Sequence, residues 1–125
     1  MRHLLLLAVA MLCFATPSFA QTATPITMPS GETSTMLAGK VPEGSMQVFT
    51  YETRGNQPFG VYVMSGNNNA AFEISGPNGE VCAEGVKDKF GAHTWKGVLE
   101  SAGMYTIVVY STGGLADFQM TVTAP

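Results

Sequence analysis

From residue 46 to residue 123 apolar and polar side chains alternate, and glycine, proline or asparagine interrupts the alternation at short intervals. A period of two puts successive side chains on opposite faces of a strand. Met46 to Glu52 reads as a strand with Phe49 and Tyr51 on one face and Val48 and Thr50 on the other. Phe59 to Met64 is apolar on both faces, as in a central strand covered from two sides. Ala70 to Ser75 points Phe72 and Ile74 inward and Glu73 outward. The turn Gly76-Pro77-Asn78-Gly79 joins it to Glu80–Ala83 as a hairpin. His93 to Leu99 carries Trp95 and Leu99 on one face, and Tyr105, Ile107 and Val109 alternate with Thr106, Val108 and Tyr110. Ala116 to Thr123 has the cleanest pattern, with Phe118, Met120 and Val122 inward. A short strand is also expected at Ser34 to Leu37, between Gly31 and Gly39. Seven or eight short strands without a helical period predict an all-β chain, a single jelly-roll-like antiparallel sandwich.

The first twenty residues read differently. Arg2 and His3 precede the apolar run Leu4–Phe14, and Ser18 and Ala20 supply small residues three and one positions before a cleavage point. This is the order of a secretory signal peptide, with a run too short to cross a bilayer comfortably. Cleavage is expected after Ala20. Cys13 does not mark a lipoprotein, because Leu12 stands where a small residue would be needed. Residues 21–30, rich in Thr, Ala and Pro without a period, read as a flexible linker, and residues 31–125 as the sandwich domain.

Processing changes the charge picture. Without Arg2, five of the six basic side chains remain against nine acidic ones, a net charge of −4. The densest positive group is Lys87-Asp88-Lys89, which excludes a phosphate-binding face, so no nucleic-acid partner is expected. No further long apolar run follows the leader, so no membrane span is expected. Cys82 is the one cysteine left, which rules out an intrachain disulfide and is unusual for a small exported chain. Between Val81 and Ala83 it is expected to be buried as a small apolar group, the alternatives being a reactive thiol or a link between chains. Ten aromatic side chains remain once Phe14 and Phe19 leave with the leader, enough to build a core.

Catalysis finds little support. A Cys82–His93 pair with Asp88 or Glu84 behind it lacks a glycine elbow or any other local signature of an activated nucleophile. The chain is therefore read as non-enzymatic. No metal or other cofactor is expected: one His and one Cys fall short of a transition-metal set, and Asn67-Asn68-Asn69 lacks the alternating acids of a calcium loop. Binding remains. Ser101-Ala102-Gly103-Met104-Tyr105 turns one strand into the next, and a tyrosine there can bury its ring and satisfy its hydroxyl locally. Lys89 and Phe90 form a second candidate contact. A lone apolar residue in a loop also fits a plug beneath that loop, which is the reading expected for Phe90.

The order of Val48-Phe49-Thr50-Tyr51, Phe72–Gly79, Trp95–Leu99, Ser101-Ala102-Gly103, Tyr105–Val109 and Ala116-Asp117-Phe118 resembles bacterial prepeptidase C-terminal-type domains. It is also similar to the exported bacterial inhibitors of goose-type lysozyme, which share that architecture. The likeness spans about residues 45 to 123. It implies a periplasmic or secreted binding protein, most sharply a lysozyme-inhibitor-like protein acting through loops at one end of the sandwich. The alternative it implies is an accessory or interaction domain of the envelope without inhibitory action. In such inhibitors a Ser-Gly-containing loop near a tyrosine enters the enzyme cleft. Here that role would fall to Ser101, Gly103 and Tyr105, with a protein partner.

Overall fold

The computed structural model describes residues 22–125. The leader expected over residues 1–20 and its expected cleavage point lie outside the described residues. Ten strands follow one another: β1 (Thr24–Pro25), β2 (Ser34–Val41), β3 (Met46–Thr53), β4 (Gln57–Ser65), β5 (Ala70–Ser75), β6 (Val81–Glu84), β7 (Val86–Lys87), β8 (His93–Leu99), β9 (Gly103–Ser111) and β10 (Ala116–Thr123). They form two five-stranded sheets, β1-β3-β9-β5-β6 and β2-β10-β4-β8-β7. Neither sheet can bury its apolar face alone, so the two stack face to face. All ladders are antiparallel except the short parallel pairing of β1 with β3.

Alternation delivers the core. Phe49, Phe72, Ile74, Ile107 and Val109 from one sheet meet Phe59, Val61, Val63, Phe118, Met120 and Val122 from the other. Phe49 and Phe118 meet edge to face across the layers, with ring centroids 6.3 Å apart and planes at 87°. Tyr51 and Phe59 make a second inter-sheet contact at 4.8 Å. Edge-to-face packing sets the positive ring edge against the negative ring face, adding about 0.5–1.5 kcal/mol beyond area burial.

Three sequence expectations change. First, β4 is central, but of Phe59 to Met64 only Phe59, Val61 and Val63 enter the core; Tyr62 and Met64 are exposed, because this sandwich has two layers and among the described residues none covers the outer face. Pro58 is tolerated in this central strand because the β4–β10 ladder stops at Gly60–Thr123, so no strand partner among the described residues stands where its missing N–H would point. Second, the segment expected as a flexible linker is partly strapped down. Thr24 and Pro25 pair with Phe49 and Thr50, the Ile26 N–H donates to the Thr50 carbonyl at 2.7 Å, and Ile26 is buried with Met28 packed beside it. Two prolines discourage helix and hairpin, but they do not prevent one apolar side chain from filling the flank of a core. Third, Cys82 is exposed. The β5–β6 register passes from Ile74↔Ala83 to Ser75↔Val81, so Cys82 is the extra residue of a β-bulge and the alternation that would have buried it is broken there.

Candidate functional site: a cleft at one end of the sandwich

The strands sort the connections into two ends. One end carries residues 42–45, 66–69, 88–92 and 112–115; the other carries 54–56, 76–80 and 100–102. Ser101, Gly103 and Tyr105 fall at the second end; Lys89 and Phe90 fall at the first, on the opposite side of the seven-residue strand β8. At about 3.3 Å rise per residue the two groups stand roughly 20 Å apart along the strand. They do not form one contact surface, contrary to the expectation of loops acting together at one end.

The second end is built from below. Tyr105, the third residue of β9, is only 4% exposed, and its hydroxyl donates to the Ser101 carbonyl at 2.9 Å. That bond clamps the base of the 100–102 loop while leaving Ser101 exposed. Gly103 between them adopts φ +135°, and a Cβ there would stand 2.8 Å from Pro77 Cβ and Cγ. Glycine is required both by the backbone and by the close approach of the neighbouring hairpin turn. On the other side the Asn56 N–H donates to the Glu100 carbonyl at 3.0 Å, tying the 54–56 turn to the same loop. The 76–80 turn holds itself: Gly76 N–H donates to the Glu80 carbonyl at 2.8 Å, and Glu80 N–H to Asn78 Oδ1 at 3.1 Å.

Between these loops and the flank of the sandwich lies a cleft of about 400 Å³. Tyr105 and Leu99 form its inner wall, Trp95 and Val98 one side, Pro77, Asn78 and the bulged Cys82 the other, with Glu100 and Ser101 at the rim. It exists because β7 covers β8 only at His93 and Thr94, leaving the rest of that edge uncovered. Exposed carboxylates at Glu52, Glu80 and Glu100 surround this end, with Arg54 the nearest cation in sequence. Sequence reading missed Trp95, Pro77, Asn78 and Cys82 as neighbours of Ser101. The strand order β9-β5-β6 and the Cys82 bulge bring Pro77, Asn78 and Cys82 there, while Trp95 comes from β8 of the other sheet, the strand that leads into the loop.

The other end is a knot of backbone satisfaction. Asn69 Nδ2 donates to the carbonyls of Gly113 and Leu115 at 2.8 and 2.9 Å, and the Gly114 N–H donates to Glu43 Oε1 at 2.7 Å. Asp88 Oδ1 accepts from the N–H groups of Phe90 and Ala92 at 2.8 and 3.0 Å. Phe90 is 75% exposed, with Lys89 Nζ 5.2 Å from its ring centroid. It is not the plug expected for this loop: Ala92 fills that place, because the Asp88 cap curls the chain so that the smaller residue turns inward. Cys82 and His93 do not pair: the thiol is on the exposed bulge near one end, while His93 sits half-buried near the other. Burial, aided by Lys87 and opposed by Asp88, lowers the His93 pKa below its ordinary 6.5, and its buried Nδ1 has no hydrogen-bond partner among the described residues. Those residues contain no group of three or more metal-ligating side chains, and no helix long and apolar enough to cross a membrane.

The chain is similar to PliG of Aeromonas hydrophila, a periplasmic inhibitor of g-type lysozyme, with a TM-score of 0.69, 23% identity, and coverage of 83% of this chain and 96% of that one. It is equally similar in shape to the pre-peptidase C-terminal domain of a Bacillus anthracis collagenase, with a TM-score of 0.69, 15% identity, and coverage of 82% and 96%. Salmonella Typhimurium PliG follows at a TM-score of 0.64, 15% identity, and coverage of 85% and 100%. The fold is the prepeptidase C-terminal-type sandwich. No family model and no curated protein matches the sequence.

Proposed function

We propose that this chain is an exported, non-catalytic binding protein that inhibits a lysozyme-type glycosidase by seating the 100–102 loop in the enzyme's cleft. The observation that carries this reading is the Tyr105 hydroxyl bond to the Ser101 carbonyl. It fixes an exposed loop from beneath, so the loop meets a partner already ordered and loses little conformational entropy on binding. The Ser101 hydroxyl and the Glu100 carboxylate stand at the tip, where they can replace substrate hydrogen bonds inside a polar cleft. The likeness to PliG of Aeromonas hydrophila, whose partner is g-type lysozyme, supports the choice of enzyme class. The acidic rim favours a basic partner by steering the encounter. Gly103 lets the loop pass close to Pro77, and Tyr105 supports it; Ser101 is the residue that would touch the enzyme.

A second reading is favoured by the equal TM-score of the collagenase domain: an accessory or interaction domain of the envelope with no inhibitory action. Turbidity clearing of a peptidoglycan suspension by g-type lysozyme separates the two. Inhibition at micromolar protein is expected from the first reading. Undiminished lysis by goose-, chicken- and invertebrate-type enzymes sinks it and leaves the second.

A further inference from the structure

Four strands lie at sheet edges, and three of them are blunted. β1 and β7 have two residues each, and β1 contains Pro25. β6 has four residues and a bulge. β2 is different: eight residues, paired with β10 in unbroken register, with no proline and no charge but Lys40. A long, regular, unprotected edge is a template for another strand.

The hydrogen-bond phase of β2 can be read from its ladder. The Ala124 N–H donates to the Thr33 carbonyl at 2.7 Å, and residues 33 and 124 continue the β2–β10 register. Thr35, Leu37, Gly39 and Val41 therefore turn their backbone groups toward β10. Ser34, Met36, Ala38 and Lys40 turn theirs to the open side, where they have no backbone partner among the described residues.

We propose that β2 pairs antiparallel with β2 of a second copy of this chain, about a twofold axis through Leu37. This register sets Ser34 opposite Lys40, and Met36 opposite Ala38, of the other copy. Four N–H groups from each copy then find carbonyl acceptors, eight hydrogen bonds in all, and a shift by two residues either way loses two of them. No two lysines stand opposite one another, and Met36, 63% exposed in one copy, gains a small neighbour that leaves it room. Two five-stranded sheets become one of ten. β2 lies on the flank opposite β8, so both clefts in such a pair stay open and face apart.

Sedimentation velocity on the processed protein tests this, in a Cys82→Ser background so that no disulfide can join the copies. A concentration-dependent monomer–dimer equilibrium is expected, with a dissociation constant on the order of tens of micromolar, as suits a small interface. Ala38→Pro removes a donor that points away from β10 and should weaken the dimer at least tenfold while the internal ladder stays closed. Met36→Lys/Ala38→Lys sets like charges opposite and should dissociate it, although it lowers the net negative charge. Met36→Lys/Ala38→Glu should restore it. A monomer at about millimolar protein, where so weak an interface would still associate, overturns the proposal. So does a dimer that both Ala38→Pro and Met36→Lys/Ala38→Lys leave intact. Failure of the Lys/Glu pair to rescue overturns the register.

Discussion

At the scale of single residues, Tyr105 and Ser101 separate support from contact. Tyr105 holds the loop through a backbone carbonyl, so the Ser101 side chain is not needed for the clamp. Ser101→Ala should therefore leave the melting temperature unchanged while weakening inhibition. Tyr105→Phe should cost about 1 kcal/mol in denaturant unfolding, the usual net value of one hydrogen bond, and loosen the loop. Tyr105→Ala should cost about 3–5 kcal/mol, because it also opens a cavity in the core. Equal loss of stability in Ser101→Ala and Tyr105→Phe would contradict this division. His93 makes a separate prediction. Its lowered pKa means the unfolded chain binds the proton more readily, so the stability tied to its neutral form is complete above pH 6.5 and declines as pH falls through that value. His93→Gln should flatten the stability–pH curve between about pH 6.5 and 5, above the range where carboxylates take over. An unchanged slope there would show that the imidazole is not the group responsible.

At the scale of elements, legibility followed the regularity of the backbone. Where side chains alternate without interruption, as in β9 and β10, the inward set was readable: Tyr105, Ile107 and Val109, then Phe118, Met120 and Val122, are all buried. Where a backbone feature overrides alternation, reading failed. The bulge at Cys82 exposed a residue whose neighbours suggested burial, and the Asp88 cap turned Ala92 inward in place of Phe90. β1 was missed because two residues carry no period; what fixes them is the tertiary site waiting for Ile26. Ile26→Ala should cost about 2–4 kcal/mol by chemical denaturation, as burial of a full side chain demands. A change below about 0.5 kcal/mol, the ordinary range for exposed sites, would return this segment to the status of a linker.

At the scale of the whole molecule, the two stacked sheets hold without a covalent cross-link among the described residues, where Cys82 is free, and their ends have different uses. One end spends its polar groups on itself, through Asn69, Asp88 and Glu43. The other end clamps its loops from below and leaves Glu100, Ser101 and Ala102 exposed beside a cleft. The candidate site was therefore half legible: Ser101 to Tyr105 stand together as a run in the chain, while their cleft neighbours come from β5, β6 and β8 and depend on sheet order. Backbone amide shift mapping during titration with g-type lysozyme bears most directly on this account. Perturbations are expected in residues 54–56, 76–80 and 100–105, with 88–92 unmoved. Shifts centred on Lys89 and Phe90, or on the outer sheet faces, would contradict it.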